Sequence, residues 1–284
     1  MMEKNKQIIV ALIVKREYNY IREHIEYHLN LGFDKVYVGD NNNDNDEHYE
    51  ELLSDLIESG KVEILNYRYA PSQQIKFYNY IIENIDYEWC AFIDCDEFLT
   101  FNKDSKYTNI KDFLHSNNEI KNYHVNWMVY GDNDQCYKQN GGVIDRFITP
   151  KDNSFEFGYN FPENRHIKTI LHKESDGRFI NPHSVLIDNA YSPSGKKVHK
   201  GFFSDIDHSV LYIRHFYTKS LEEWVTTKML RKGGNNTNIN YGLEVYFAYN
   251  EMTKEKKDFL DKMNLKINKN IEKKEKNNTL HFFY

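Results

Sequence analysis

The 284-residue sequence predicts an α/β fold: a mixed sheet, mainly parallel, flanked by helices, with a C-terminal helical extension. Three observations predict it. Strand and helix signals alternate through the first third of the chain. The apolar run Trp89-Cys90-Ala91-Phe92-Ile93 leads directly into Asp94-Cys95-Asp96-Glu97, the pattern of a buried strand with acids at its carboxyl end. Late in the chain, Ser220-Leu221-Glu222-Glu223 has the form of a capping box that opens a helix.

The elements follow in order. Ile8 to Val14 is uniformly apolar and reads as a buried strand. Ile21, Ile25, His28 and Leu29 mark one face of a helix that Gly32 ends, and Lys35 to Gly39 is a second strand. Tyr49, Leu52, Leu53, Leu56 and Ile57 keep helical spacing, with Gly60 at the position after the helix end. Val62 to Leu65 is a third strand. Ser72 is expected to start a helix carrying Ile75, Tyr78, Ile81, Ile82 and Ile85, and the strand before Asp94 is the fourth. Alternation of Tyr123, Val125, Trp127 and Val129 with polar or mixed residues predicts a half-buried, antiparallel strand over 122–130. Gly141-Gly142 and the prolines at 150, 162, 182 and 193 make 131–210 loop-rich. The helix opened at Ser220 is expected to run to Gly233-Gly234, and Phe259, Met263, Ile267 and Ile271 form a stripe on a last, Lys-rich helix. There are no internal repeats and no low-complexity linker. The expected division is one domain over 1–234, in halves of 1–100 and 101–234, and a helical extension over 235–284.

Composition narrows the function. With 40% hydrophobic residues the chain buries a sizeable core, and its 22 Tyr and 18 Phe suit stacking on bases and sugar rings as well as core packing. A net charge of −6 argues against nucleic acid as a partner. Three cysteines, Cys90, Cys95 and Cys136, without metal-ligand spacing, point to a reducing compartment. The first apolar run is too short for a signal peptide or a membrane span, so the expected location is cytoplasmic.

Several constellations carry candidate chemistry. Asp94 and Asp96 stand two residues apart at the carboxyl end of a strand, where open α/β sheets bind ligands. Such a pair shares a hard cation, Mn²⁺ or Mg²⁺, which bridges a diphosphate. Asp40 and Asn41, at the end of the second strand, suit a nucleobase edge or a ribose; the same residues also favour a turn or a helix cap, a task open to Asp44 or Asp46. Asp132, after Gly131 at the end of the Trp127 strand, is a candidate general base, with Asp134 and Asp145 as competitors. His183 and His215 are candidate metal or phosphate ligands. Lys219, Lys228 and Arg231 follow His215; spaced three apart, Lys228 and Arg231 are expected on one helical face, where cations suit a diphosphate and a solvated basic face is the plainer alternative.

Taken in order, the pieces resemble a known family: the run after the first strand at Lys15-Arg16-Glu17, IEYHLNLGFDKVYVGDNNNDN from Ile25, WCAFIDCDEFL from Trp89, NWMVYGDN from Asn126, DRF from Asp145, IKTI from Ile167, NPH from Asn181, and RHFYTKSLEEWVTTKMLRKGG from Arg214. The set, spanning residues 7–234, resembles the glycosyltransferase family 2-like group close to family 92. That resemblance implies a GT-A, Rossmann-like fold and a metal-dependent, inverting transfer from a UDP-sugar, galactose being the expected sugar, to a glycan or glycolipid acceptor of bacterial capsule or lipopolysaccharide. It makes 1–100 the nucleotide-sugar half and 101–234 the acceptor half. It implies that Asp94 meets the donor ribose or sugar, Asp96 binds the metal, and Glu17 and Asp40 line the uridine pocket. His215 becomes the late metal ligand with His183 its competitor, and Lys219, Lys228 and Arg231 hold the diphosphate. Asn43 stands where many relatives carry Ser, and Asp145 where many carry Glu, departures that bear on the sugar more than on the reaction.

Rival readings are a haloacid-dehalogenase-like phosphatase and a non-catalytic transferase that only binds sugar or a partner. The first expects Thr or Val where Phe98 stands, and intact Asp94, Asp96 and His215 speak against the second. Lys266, Lys269, Lys273, Lys274 and Lys276 with Phe282-Phe283-Tyr284 suit peripheral contact with the anionic inner face of the membrane, but Glu272 and Glu275 dilute the charge and favour the plainer alternative of a solvated helix and a frayed tail.

Overall fold

The computed structural model describes residues 6–43, 47–69, 72–157, 161–186, 188–199, 201–231 and 242–265. The elements are β1 (Ile8–Val14), α1 (Ile21–Leu31), β2 (Lys35–Asp40), α2 (Ser54–Glu58), β3 (Val62–Asn66), α3 (Gln74–Asn84), β4 (Trp89–Phe92), β5 (Glu97–Phe101), α4 (Ile110–Leu114), β6 (Asn122–Val129), α5 (Val143–Arg146), β7 (Ile167–His172), β8 (Ala190–Tyr191), β9 (Lys197–Val198), β10 (Leu211–His215), α6 (Leu221–Thr226), α7 (Leu243–Tyr249) and α8 (Lys254–Lys262). Short 3-10 turns cover Glu163–Arg165 and Lys228–Leu230.

The main sheet runs β3-β2-β1-β4-β7-β6-β10-β5. β1, β2, β3 and β4 pair in parallel. Beyond β4 the pairing is mixed: β7 is antiparallel to both β4 and β6, β10 is parallel to β6, and β5 is antiparallel to β10. The fold is thus the expected mixed α/β sheet, with the parallel character concentrated in its first half.

Alternation along β1 feeds two cores. Val10, Leu12 and Val14 pack with Ile21 and Ile25 of α1 and Leu53 before α2 on one face. Ile9 and Ala11 pack with Phe77, Tyr78 and Ile81 of α3 on the other. Both faces are covered, which is why β1 reads as one apolar run. Gly32 closes α1 in the left-handed conformation at φ 112°, where a side chain is strained. A Cβ on Gly39 would lie 2.9 Å from the Phe77 ring, so α3 packs closely over the end of β2. A third cluster joins Cys136, Leu221 and Trp224 to Leu243 and Tyr246 of α7 and to Phe259 and Leu260 of α8, docking the C-terminal helices on α6 and the loop that carries Cys136.

Five expectations change. Ser72 does not start α3: it takes φ 56°, and the helix begins at Gln74. The 122–130 strand is buried on both faces except at Met128, and it lies inside the sheet between β7 and β10. The loop-rich stretch contains the fully buried strand β7. The capping box at Ser220 forms as expected, but its helix ends at Thr226, and Lys228 stands in the following 3-10 turn with Arg231 extended beyond it. Lys228 and Arg231 therefore do not share a helical face. Phe259 of α8 is buried, whereas Met263, just past the end of that helix, is 49% exposed. Asp44, Asp46, Gly233-Gly234, Ile267, Ile271 and the lysines and aromatics from 266 on lie outside the described residues. Among those described, no helix is long and apolar enough to cross a membrane.

Candidate active site

Parallel pairing aligns the ends of β1, β2 and β4, with Val14 opposite Asp40 and Ala11 opposite Phe92. The segments that leave these strands, with Glu17, Asp40-Asn41 and Asp94 to Asp96, thus share one edge of the sheet. β10 reaches the same edge by pairing with β5, which puts His215 opposite Glu97.

Asp96 is the centre of charge. Its carboxylate is 4% exposed, with Lys228 Nζ 2.9 Å from Oδ2 and His215 Nε2 3.7 Å from Oδ1. Burial alone would raise its pKa, but Lys228, His215 and Lys219 together hold it well below the usual carboxylate range. Burial works the other way on Lys228, lowering it to about 8 against the pull of Asp96. Lys228 Nζ also donates to the Tyr217 carbonyl at 2.6 Å and lies 3.8 Å from the Tyr217 ring centre. His215 packs on Trp127 with ring centres 4.2 Å apart, and its Nδ1 is buried with no hydrogen-bond partner.

Asp94 has different partners. Gln74 Nε2 donates to Oδ1 at 2.6 Å, Tyr78 hydroxyl donates to it at 3.3 Å, and Lys168 Nζ meets Oδ2 at 2.7 Å. Its amide donates to Glu97 Oε2 at 2.7 Å. Glu97 is fully buried; burial pushes its carboxyl well above the usual range, opposed by Lys168. Lys168 is 1% exposed, and Asp94 and Glu97 overcome the effect of burial to raise its pKa.

Around this centre, Glu17 is buried and ion-paired with Arg231, which also donates to the Lys15 carbonyl at 3.3 Å. Lys219 takes φ 56°, a conformation a lysine rarely adopts, and its ammonium stands 4.3 Å from the Tyr20 ring centre. The turn that carries it is fixed by Glu223, whose two oxygens take Arg146 at 2.7 and 2.9 Å. Tyr20 and Ser220 also donate to Glu223. Arg146 and Ser220 outweigh burial and hold the Glu223 carboxyl down at about 2. The Asp-Arg-Phe triplet at 145–147 thus acts through its arginine.

Asp40 is buried and engaged. Oδ1 accepts from the amide and side chain of Asn42, and Oδ2 takes Arg68 Nε at 2.7 Å. Arg68 further donates to the Asn43 and Glu47 carbonyls at 2.8 and 2.5 Å, tying the loop after β2 to the end of β3. Asn41 donates to the Tyr67 carbonyl at 2.7 Å. A groove of about 650 Å³ runs along β3, the edge strand, with Asp40, Asn66 and Arg68 at one end and Lys35, Gly60 and Val62 at the other; Asp94 and Asp96 do not line it.

Two expected residues stand apart from Asp96. His183 Nδ1 donates to the Ile167 carbonyl at 3.0 Å, and its ring packs on Trp127 from 5.4 Å, so Trp127 links it to His215. Asp132 is 3% exposed and enclosed by the C-terminal helices: Lys256 Nζ is 2.5 Å from Oδ2, the Tyr246 hydroxyl donates to the same oxygen, and Asn250 takes the Asp132 amide at 2.8 Å. Its neighbour Asp134 has a side chain 76% exposed, 3.8 Å from Lys256, and Asp145 is also exposed.

Sequence reasoning missed Lys168, Gln74, Tyr78 and Arg68. Lys168 carried a readable signal, a lone charge in the apolar run Ile167-Lys168-Thr169-Ile170. Gln74 and Tyr78, four apart on α3, differ in no local way from other helical residues.

Among the described residues, no group of three His, Cys, Asp or Glu forms a metal cage. Asp96 and His215 nevertheless fit two positions of a divalent cation: one oxygen and one nitrogen donor, 3.7 Å apart and facing each other.

The model of Glycosyltransferase family 92 matches residues 11–274. No curated protein matches significantly. Among solved structures, the chain is similar to residues 1–349 of Staphylococcus aureus TarS in complex with UDP-GlcNAc, at 13% identity and a TM-score of 0.37, over 59% of this chain and 45% of that one. It is also similar to glucosyl-3-phosphoglycerate synthase from Mycobacterium tuberculosis, solved with Mn²⁺, UDP and glucosyl-3-phosphoglycerate, at 15% identity and a TM-score of 0.29, over 45% of each chain. A third is the mannosyltransferase PcManGT from Pyrobaculum calidifontis with GDP-Man and Mn²⁺, at 10% identity and a TM-score of 0.31, over 42% of this chain and 35% of that one. The chain spans less than half the length of these solved proteins.

Proposed function

This chain belongs to glycosyltransferase family 92, and from that premise we propose that it transfers a sugar, galactose as first choice, from a UDP-sugar to a glycan or glycolipid acceptor in capsule or lipopolysaccharide synthesis. The observation that carries the reading is Asp96, a buried carboxylate at the end of a strand, bracketed by a lysine and a histidine. Membership supplies the sugar-transfer chemistry; UDP, the metal and the pathway are our reading.

The Asp40 and Arg68 end of the groove suits the nucleoside, because the buried carboxylate and guanidinium there can exchange internal partners for a base and a ribose. Asp96 and His215 would hold Mn²⁺ or Mg²⁺. When bound, that ion would neutralise the charge developing on the departing diphosphate. Lys228, Lys219 and Arg231 serve the same leaving group. In this structure Lys228 and Arg231 are paired with Asp96 and Glu17, and an incoming diphosphate competes for those cations. The acceptor oxygen forms its bond to the anomeric carbon as the bond from that carbon to UDP breaks, with inversion. A carboxylate takes the acceptor proton. Asp132 is enclosed by Lys256 and Tyr246, so we assign the base to exposed Asp134 on the same turn and give Asp132 the task of fixing that turn. Peripheral contact with the inner face of the membrane suits a glycolipid acceptor and is part of this proposal.

A thermal-shift screen of UDP-, GDP- and CMP-sugars with and without Mn²⁺ tests the reading, because a ligand that binds only the folded protein raises its melting temperature. A rise with UDP-galactose that needs the cation is the expected result. A response confined to GDP- or CMP-sugars would replace the donor, and equal response with and without cation would remove the metal.

A further inference from the structure

Lys168 has no place in the transfer chemistry above, yet it is the most enclosed cation beside the Asp-x-Asp pair. It comes from β7, the antiparallel strand next to β4, and its residue is 1% exposed. A lysine so buried needs partners for all its donors. It donates to Asp94 Oδ2 at 2.7 Å and to the Pro182 carbonyl at 3.3 Å, with Glu97 Oε2 at an ion-pair distance of 3.7 Å. Hydrogen-bonded to Asp94 and Pro182 and closed off from solvent at 1% exposure, this ammonium is not open to a diphosphate. Whatever it does for transfer it does through another residue.

That residue is Asp94, the exposed member of the set, with 36% of its side chain open. A carboxylate offers about four acceptor sites. Gln74 and Tyr78 use Oδ1 and Lys168 uses Oδ2, from two different secondary elements on two sides. Glu97 fixes the Asp94 amide at the same time. The carboxylate is held at both oxygens and by its own backbone, and its remaining acceptor capacity faces the open side. The two aspartates of the pair also have separate counter-ions: Lys168 for Asp94, Lys228 and His215 for Asp96. Three carboxylates within four residues, Asp94, Asp96 and Glu97, would otherwise compete for one cation.

We propose that Lys168 is a positioning residue: with Gln74 and Tyr78 it holds Asp94 away from the metal position and fixes it to accept a hydrogen bond from a hydroxyl of the donor's sugar. The proposal rests on the nucleotide-sugar reading of the site. It distinguishes the sugar from the nucleotide, because UDP keeps its own contacts when Asp94 is misplaced.

The test compares binding and transfer in Lys168→Met, Lys168→Arg, Asp94→Asn and the Lys168→Met/Asp94→Asn double variant, using UDP and UDP-galactose with Mn²⁺ as probes. Displacement of a positioning contact by an ångström or so costs about 100-fold in rate. Lys168→Met is expected to lower transfer by about 10- to 100-fold and to weaken UDP-galactose, while UDP affinity stays within about threefold of the parent. Lys168→Arg should regain part of the loss, since it keeps the charge. The double variant should be no worse than Asp94→Asn, because contacting residues that act as one unit do not add. Should Lys168→Met alone fail to fold, Lys168→Gln, which keeps a hydrogen-bond donor without the charge, serves in its place. Parallel loss of UDP and UDP-galactose, or losses that multiply in the double variant, would overturn the proposal. A parent protein that binds a different nucleoside diphosphate fails the donor reading alone, and the same ratios are then read with that nucleotide and its sugar.

Discussion

Replacing Asp132 should destabilise the protein before it touches the chemistry. Its Oδ2 faces Lys256 Nζ at 2.5 Å and accepts from the Tyr246 hydroxyl, and the Lys256 side chain is fully buried. In Asp132→Ala that ammonium keeps the Glu251 carbonyl, at 2.9 Å, and only the exposed Asp134 carboxylate at 3.8 Å. Removing one partner of a buried ion pair costs about 3–5 kcal/mol, because the other charge stays buried and uncompensated. Against a total stability of about 5–15 kcal/mol, that is a large share. Asp132→Asn should lose most of the same amount, since a neutral amide does not answer the ammonium. Lys256→Met in the Asp132→Ala background should recover much of the loss, because no unpaired charge remains. Urea unfolding followed by tryptophan fluorescence reads this directly: Trp224 packs in the same cluster as Tyr246. The companion variant is Asp134→Asn, expected to keep parental stability and UDP-sugar binding while losing about 10²–10⁴-fold in transfer. An Asp132→Asn protein as stable as the parent, binding donor and metal but inactive, would refute the clamp and make Asp132 the base.

Three further outcomes are expected. Asp96→Ala and Asp96→Asn should lose transfer and cation-dependent UDP binding, because both remove the charged donor to a hard cation; parental activity at limiting Mn²⁺ contradicts this. Asp40→Ala should weaken UDP and UDP-sugar alike by about 1–3 kcal/mol, the cost of an unmet hydrogen bond with Arg68 left unpaired, and calorimetry giving equal UDP affinity rejects it. Stability should also fall with acid. Burial lowers His24, His124 and His166 from the ordinary 6.5 to about 4. Between these values the unfolded chain binds protons on these histidines that the folded chain does not, so the stability they contribute is present above about pH 6.5 and is lost down to about pH 4, partly offset by Glu163, which burial raises to about 8. A urea midpoint that stays level across that window is the contrary result.

Much of the architecture was legible because its causes are local. The uniform apolar run of β1 follows from burial on both faces. Gly32 ends α1 because its φ of 112° suits glycine. The capping box at Ser220 closes within four residues. The strand ending at Phe92, with acids after it, is a statement about neighbours in sequence. Where local signals were weak the reading slipped: β7 lay hidden among prolines and glycines, and α6 stopped at Thr226 with no glycine to announce it.

The candidate site divides on the same line. Sequence alone determined the alternation of strand and helix, the place of Asp94 and Asp96 at a strand's end, and the family whose motifs they share. Tertiary structure alone decided which charge meets which: Lys168 comes to Asp94 from 74 residues away, Lys228 to Asp96 from 132, and Arg231 to Glu17 from 214. Periodicity and capping act over a turn or two of chain, so residue order encodes them directly. Counter-ions for buried carboxylates are chosen by the sheet order that brings distant strands and turns to one edge, and neither residue of such a pair carries a mark of the other.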